Sequence, residues 1–285
     1  MTAKPSPFAA TVAIDWSGAK GSRHKGIAIA EARGSDPPRL VRQGHVWSRR
    51  EVLDWLRERA ALEPTLFGFD FSFAPPLAER GSYLPGDDVP GEARPFWAYV
   101  DRISGDEDLG AASFLERHHR RHFYFGKADG EKARFMHFRA VEQRLNAQGG
   151  GKAATVYDAI GAAQVAKASF AGMRLLHHIA DQVAIWPFDP IIPGQSAVVE
   201  IYGRLYLRMS GGSGRKLRSG AELDEALARL GSPPAALGHD PSDHETDALI
   251  TAAGMRKMLE RPEAFAPPAL TPQIARTEGW TFGVL

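Results

Sequence analysis

The 285-residue chain predicts an α/β fold, a sheet flanked by helices, on three observations. Two short runs rich in Val, Ile and Ala, Thr11 to Ile14 and Gly26 to Ala30, read as buried strands joined by a polar turn. A third strand, a helix and a fourth apolar run follow, so that strands and helices alternate. A strong helix from Ser242 to Leu259 comes last.

Arg39 to Trp47 is the predicted third strand. Ser48, with Glu51 three residues on, forms a capping box for a helix over 49–61. Thr65 to Phe69 is the fourth strand, ending at Asp70 before the breaker Pro75-Pro76. From about residue 77 to 151 Pro and Gly become frequent, and 79–108 carries eight acids against three arginines, which predicts an insertion, partly looped. Helices over about 111–122 and 131–147 are expected within it, the second stopped by Gly149-Gly150-Gly151.

The apolar series Val165, Phe170, Met173, Leu176, Ile179, Ala180, Val183 predicts a helix over about 158–182. Ala197 to Tyr202 is a further strand, with Glu200 inside it; a glycine-rich basic loop, Ser210 to Lys216, and a helix over about 220–230 follow. The Pro-containing tail from Arg261 is expected to wrap the surface. The chain thus reads as one domain, with its core at about 10–76 and 152–260, an insertion at about 77–151 and a tail at 261–285.

Composition narrows the chemistry. With no cysteine, a disulfide framework, a thiolate zinc site and a cysteine nucleophile are all excluded. A net charge of +1 excludes a uniformly basic nucleic-acid surface and leaves room for a local basic patch. The N-terminus lacks an apolar signal segment and no run of about 18 apolar residues appears, so a soluble, cytoplasmic protein with no membrane contact is expected. The oligomeric state stays open, a homodimer included.

Asp15 ends the first apolar strand and Asp70 the fourth, and an acid there is costly unless it binds something. Carboxylates at the C-terminal ends of neighbouring parallel strands sit at the edge where ligands bind, and a hard divalent cation relieves their repulsion. A turn-former bonding its own backbone is the bland reading of either acid alone. Asp247 lies one turn inside the last helix and shares a face with Asp243 and His244. Asp243 sits in the first turn, where the helix dipole favours any acid, and Glu245 completes a capping box with Ser242.

Glu200 either faces solvent or joins the same site. Residues 116–139 hold seven Lys/Arg against three Asp/Glu, with Phe123, Tyr124 and Phe125 interleaved, a mix that suits phosphate contact and base stacking or, equally, a solvated helix with core aromatics. Lys20, Arg120, Arg121, Lys127, Arg215 and Lys216 are the candidate substrate contacts. His118 and His122 form an i,i+4 pair that could bind zinc, a weaker reading than a basic surface. The glycine-rich loop lacks Walker spacing, and no G-x-S-x-G is present in it.

AIDWSGAKGSRHKGIAIAE, LFGFDFSFAPP, QVAKASFAGMRLL, AIWPFD, VVEIYGRLY and SDHETDALITAAGMRKM, in this order over about residues 10–260, resemble a bacterial and archaeal family of predicted nucleases with the RNase H fold. D-H-E-T-D-A-L is also similar to the last-helix motif of Holliday-junction resolvases. The resemblance implies an RNase H-like mixed sheet of five strands, the first three antiparallel, with Asp15, Asp70 and Asp247 holding Mg²⁺ or Mn²⁺. Glu200 matches an acid of the family's later strand. The chain departs from better-known RNase H enzymes in lacking a clear acid on the helix after strand three, where Glu51 and Glu58 are the only offers.

The resulting expectation is a metal-dependent nuclease acting on nucleic acid, with Asp243, His244 or Glu200 assisting the three aspartates. An actin-like ATP-dependent phosphotransferase, with Trp16 to Lys25 cradling phosphates, and a non-catalytic binding or scaffold protein are the alternatives.

Overall fold

The computed structural model describes residues 6–149, 153–161, 165–212 and 216–285. Strands β1 (Ala10–Asp15), β2 (Ala28–Arg33) and β3 (Arg39–Leu40) lead into helix α1 (Arg49–Leu62) and strand β4 (Thr65–Phe69). Helices α2 (Ala93–Ile103), α3 (Ala140–Ala147) and α4 (Val165–Ile179) follow, then β5 (Ala184–Ile185), β6 (Ala197–Glu200) and helices α5 (Gly203–Met209), α6 (Gly220–Arg229), α7 (Asp243–Met258) and α8 (Pro272–Thr277).

The sheet is mixed and has six strands, in the order β3-β2-β1-β4-β6-β5. β1, β2 and β3 pair antiparallel, whereas β4 runs parallel to β1, β6 to β4 and β5 to β6. The expected count was five; the extra strand is the two-residue β5, too short to leave a periodic signal.

Side chains alternate across the sheet with period two. Val12, Ile14, Phe67 and Phe69 therefore enter one core with residues of α1, α2 and α4, while Ala13, Ala28, Ala30 and Val199 enter the other beneath α7. Small residues let α7 lie close: Ala248, Ala252 and Ala253 are buried on it. A Cβ on Gly68 would stand 2.7 Å from Met255 Sδ, so only glycine leaves room for this helix on β4. The Thr11 hydroxyl donates to the Ala252 carbonyl at 2.8 Å, locking β1 to α7.

The capping box of α1 forms as its sequence predicts, with Ser48 Oγ accepting from the Glu51 amide at 3.0 Å and Glu51 accepting from the Ser48 amide at 2.8 Å. The third strand is shorter than expected. Only Arg39–Leu40 pairs, because the chain turns through positive φ at Arg42 and Gly44, and just Trp47 returns to bridge His24.

The insertion differs most. An unforeseen helix, α2, buries Phe96, Trp97 and Val100; its Pro95 sits in the first turn, where a missing amide costs nothing. The expected helix over 111–122 is a π-turn at Phe114–His118 and a 3-10 turn at Arg120–His122, and that over 131–147 is a 3-10 turn and the shorter α3. α4 spans less than its expected range. Gly150 and Gly151 lie outside the described residues. α5 was unforeseen, since it follows β6 with almost no connecting loop.

The tail does not merely wrap the surface. Trp280, Phe282 and Val284 are buried, and the Phe282 amide donates to the Glu200 carbonyl at 2.8 Å. Among the described residues no helix is long and apolar enough to cross a membrane.

Candidate active site

Parallel pairing sets the two strand-end acids side by side. β1 and β4 are in register from Ala10 opposite Thr65 to Ile14 opposite Phe69, so the next residues on each strand are Asp15 and Asp70. By alternation Asp15 follows Thr11 and Ala13 onto the α7 face. Asp70 is held by the Trp16 amide, which donates to its Oδ1 at 2.7 Å.

α7 supplies the rest. Its own capping box, Ser242 with Glu245, starts the helix at the mouth of the site and keeps Glu245 in a structural role. One turn on, Asp247 and Asp243 point into the same cleft, and His244 Nδ1 hydrogen-bonds Asp15 Oδ2. A cleft of 570 Å³ is lined by Asp15, Asp70, Asp243, His244 and Asp247, with Lys216 and Arg204 at hand and an apolar wall that includes Val141, Leu145 and Val165. That is ample for a small ligand or one nucleotide unit.

The electrostatics separate these acids. Asp15 is pushed up to about 7 by its withdrawal from water, with the charges of Asp247 and Asp243 adding and the Asp70 and Lys216 contacts opposing. Asp70 lies well above the carboxylate range, through the same withdrawal and the neighbouring Asp15. Its carboxyl is open to the cleft, yet a narrow cleft floor crowded by protein hydrates a charge less well than bulk water does. Asp247 is raised by burial and by Asp243. Asp243 goes the other way, lowered by its ion pair with Lys216. Three carboxyls are thus held short of compensating charge, which is the donor chemistry a hard divalent cation requires.

Glu200 has another job. It pairs across β6 with Phe69, so alternation turns its side chain to the face opposite Asp15 and Asp70. There, almost fully buried, it binds Arg139 through both oxygens at 2.6 and 2.7 Å, the Thr281 hydroxyl at 2.6 Å and the Phe73 amide at 2.8 Å. Glu200 lines the far part of the same cleft together with Arg139 and Thr281, but its four hydrogen bonds occupy both oxygens, and it anchors the insertion and the tail. Glu51 is committed to Ser48 and Arg23, and Glu58 is exposed; neither lines the cleft.

The candidate substrate contacts divide as well. Lys216 lines the cleft beside Asp243, and Arg215 lies outside the described residues. Lys20 pairs with Glu116 at 2.9 Å, Arg120 with Asp129 at 2.6 Å and Arg121 with Asp87, while Lys127 is exposed; none of these four lines the cleft. Of the two readings of the interleaved aromatics, core packing holds for Phe123 and Tyr124, which are buried, while the partly buried Phe125 lies under Arg120.

The turn after Asp15 is packed rather than open. A Cβ on Gly18 would fall 2.3 Å from the Ala168 amide nitrogen, and Trp16 Nε1 donates to the Ala168 carbonyl at 3.2 Å. Arg139, the partner of Glu200, had no signal in sequence beyond its place after Phe138, since its two acids lie 3 and 61 residues away.

Among the described residues, the group of three whose ligand atoms all lie within 4.8 Å of one another is Asp87, His119 and His122, not the three aspartates of the cleft. No protein-family model matches the chain, and no curated protein or solved structure matches it either.

Proposed function

We propose that the chain is a metal-dependent nuclease with an RNase H-like fold, acting on nucleic acid in the cytoplasm. The observation that carries this reading is the meeting of Asp15, Asp70 and Asp247, from β1, the end of β4 and α7, in one cleft with their carboxyls held above the ordinary range. The sheet order supports it, with three antiparallel strands leading and β4 placed parallel beside β1, as the sequence resemblance implies.

In this reading Asp15, Asp70 and Asp247 hold Mg²⁺ or Mn²⁺, an ion that would supply Lewis acidity and neutralise charge on the leaving oxygen. His244 fixes the orientation of Asp15 and stands exposed beside it, placed to exchange a proton with water in the cleft. Lys216, largely exposed, offers a phosphate contact and, through Asp243, returns to the cleft edge when no substrate is present. The apolar wall from Val141 to Val165 suits the sugar and base of a bound strand.

The test is hydrolysis of labelled single-stranded, duplex, hybrid and branched substrates with Mn²⁺. Cleavage that falls by about two orders of magnitude or more in Asp15→Asn is expected, given what single catalytic groups contribute. Activity equal to that background on every substrate would reject the proposal.

A further inference from the structure

A second group of ligating side chains lies in the insertion, apart from the cleft lining. His119 Nδ1 and His122 Nε2 approach the same oxygen of Asp87, Oδ2, at 2.8 and 2.9 Å. Both rings are buried, at 6% and 7% exposure, so neither is simply a solvated surface histidine. The sequence pairs His118 with His122 on an α-helix. The π-turn at Phe114–His118 and the 3-10 turn after it instead expose His118 and bring His119 round to His122. Single π-turns of this kind recur at functional sites.

The convergence of these three ligand atoms, all within 4.8 Å of one another, is what points to a ligand. A neutral imidazole carries one N–H. His119 Nε2 lies 2.9 Å from the Tyr99 hydroxyl, which serves either tautomer: without an ion Nδ1–H donates to Asp87 and Nε2 accepts from Tyr99, and with one Nε2–H donates to Tyr99 and frees the Nδ1 lone pair. His122 Nε2 accepts from Arg121 Nε at 3.2 Å, a bond an incoming ion has to replace. When Nδ1 of His119 and Nε2 of His122 both carry lone pairs, they and the Asp87 oxygen offer three ligand atoms to one cation. The Tyr99 contact is the outer partner that metal-ligating histidines ordinarily have. Arg121, bound to the other Asp87 oxygen and mostly exposed, opposes a cation here, as does the charge of Arg80 near His122.

We infer that Asp87, His119 and His122 form a binding site for a divalent transition ion of the zinc type, which fastens the loop at Asp87 to the irregular segment 114–122. Two nitrogens with one oxygen select such an ion over Mg²⁺ or Ca²⁺, which prefer all-oxygen shells.

The test uses the full chain carrying Asp15→Asn and Asp70→Asn, so that the cleft does not compete, stripped with dipicolinate and titrated with Zn²⁺ and Co²⁺. One equivalent of Zn²⁺ retained through desalting, and a Co²⁺ d–d band, are expected. His119→Gln and His122→Gln should weaken binding at least about a hundredfold, and Tyr99→Phe about ten- to a hundredfold. Arg121→Ala should tighten it. No retained ion in the parent, or equal retention in folded His119→Gln and His122→Gln, overturns the site. Should those two variants fail to fold, Arg121→Ala decides: tighter Zn²⁺ binding upholds it, and unchanged or weaker binding shows a plain ionic cluster instead.

Discussion

Asp15→Asn separates a ligand-binding carboxylate from a turn-former by the sign of its effect on stability. The Asp15 carboxyl rises from an ordinary 3.8 to about 7 on folding, because the cleft floor hydrates it poorly and Asp247 and Asp243 repel it. An acid raised in this way binds more protons folded than unfolded between those two values. The wild-type chain free of metal therefore loses stability as pH climbs from about 4 to about 7, and carries the full penalty above that. At 1.36 kcal/mol for each tenfold change, the penalty is about 4 kcal/mol when Asp15 is fully ionised. That is a ceiling, since Asn forfeits the His244 contact and Asp70 takes part of the relief.

Urea unfolding in EDTA at pH 5 and pH 8 measures it. The variant should exceed wild type by at least about 1 kcal/mol at pH 8, with the gain shrinking at pH 5. Mn²⁺ should then reverse the ranking, because an ion at about a thousand times its dissociation constant adds about 4.1 kcal/mol to the chain that binds it. A variant less stable than wild type at pH 8 in EDTA, or a gain equal at both pH values, would refute the reasoning. Asp15 would then be a residue that serves its own turn.

Three further outcomes follow from the geometry. Glu200→Gln leaves the buried Arg139 partly uncompensated, so unfolding in urea should show a loss of about 3–5 kcal/mol, with Mn²⁺ affinity of the folded fraction unchanged. Gly68→Ala drives a methyl into Met255 and Ile201 and should cost about 1–3 kcal/mol by thermal unfolding. Lys216→Met should weaken binding of a nucleic acid across all sequences and reduce the slope of log K against log salt by about 1, while calorimetry finds Mn²⁺ binding intact or tighter.

What was legible in the sequence is what one physical rule decides alone. β1 and β4 are apolar runs with an acid at the end, α1 and α7 each begin with a capping box, and all four stand where the sequence predicts them. Asp15, Asp70 and Asp247 could be gathered on paper because parallel neighbours end at one edge. Glu200 could not be assigned, because facing depends on register, and register is invisible until Phe69 is known to stand opposite it. The insertion was least legible: α2 hides its start behind a proline, and the segment at 114–122 leaves α-helical geometry altogether.

These failures have a common form. The charges and aromatics of 116–139 are a matter of composition, and composition does not say which way a side chain faces. In the folded chain Phe123 and Tyr124 face the core, Arg120 and Arg121 are taken by Asp129 and Asp87, and the face offered to a substrate contracts to the cleft edge at Lys216. A polyanion that reaches the three aspartates must therefore come past α7 and the loop ending at Lys216, not along the segment at 116–139. The basic segment then needs a different reason for its histidines, and the convergence of His119 and His122 on one oxygen of Asp87 supplies it. On the two proposals the groups divide by hardness, three carboxylates suited to a hard ion at the cleft and two imidazoles with one carboxylate suited to a softer ion in the insertion.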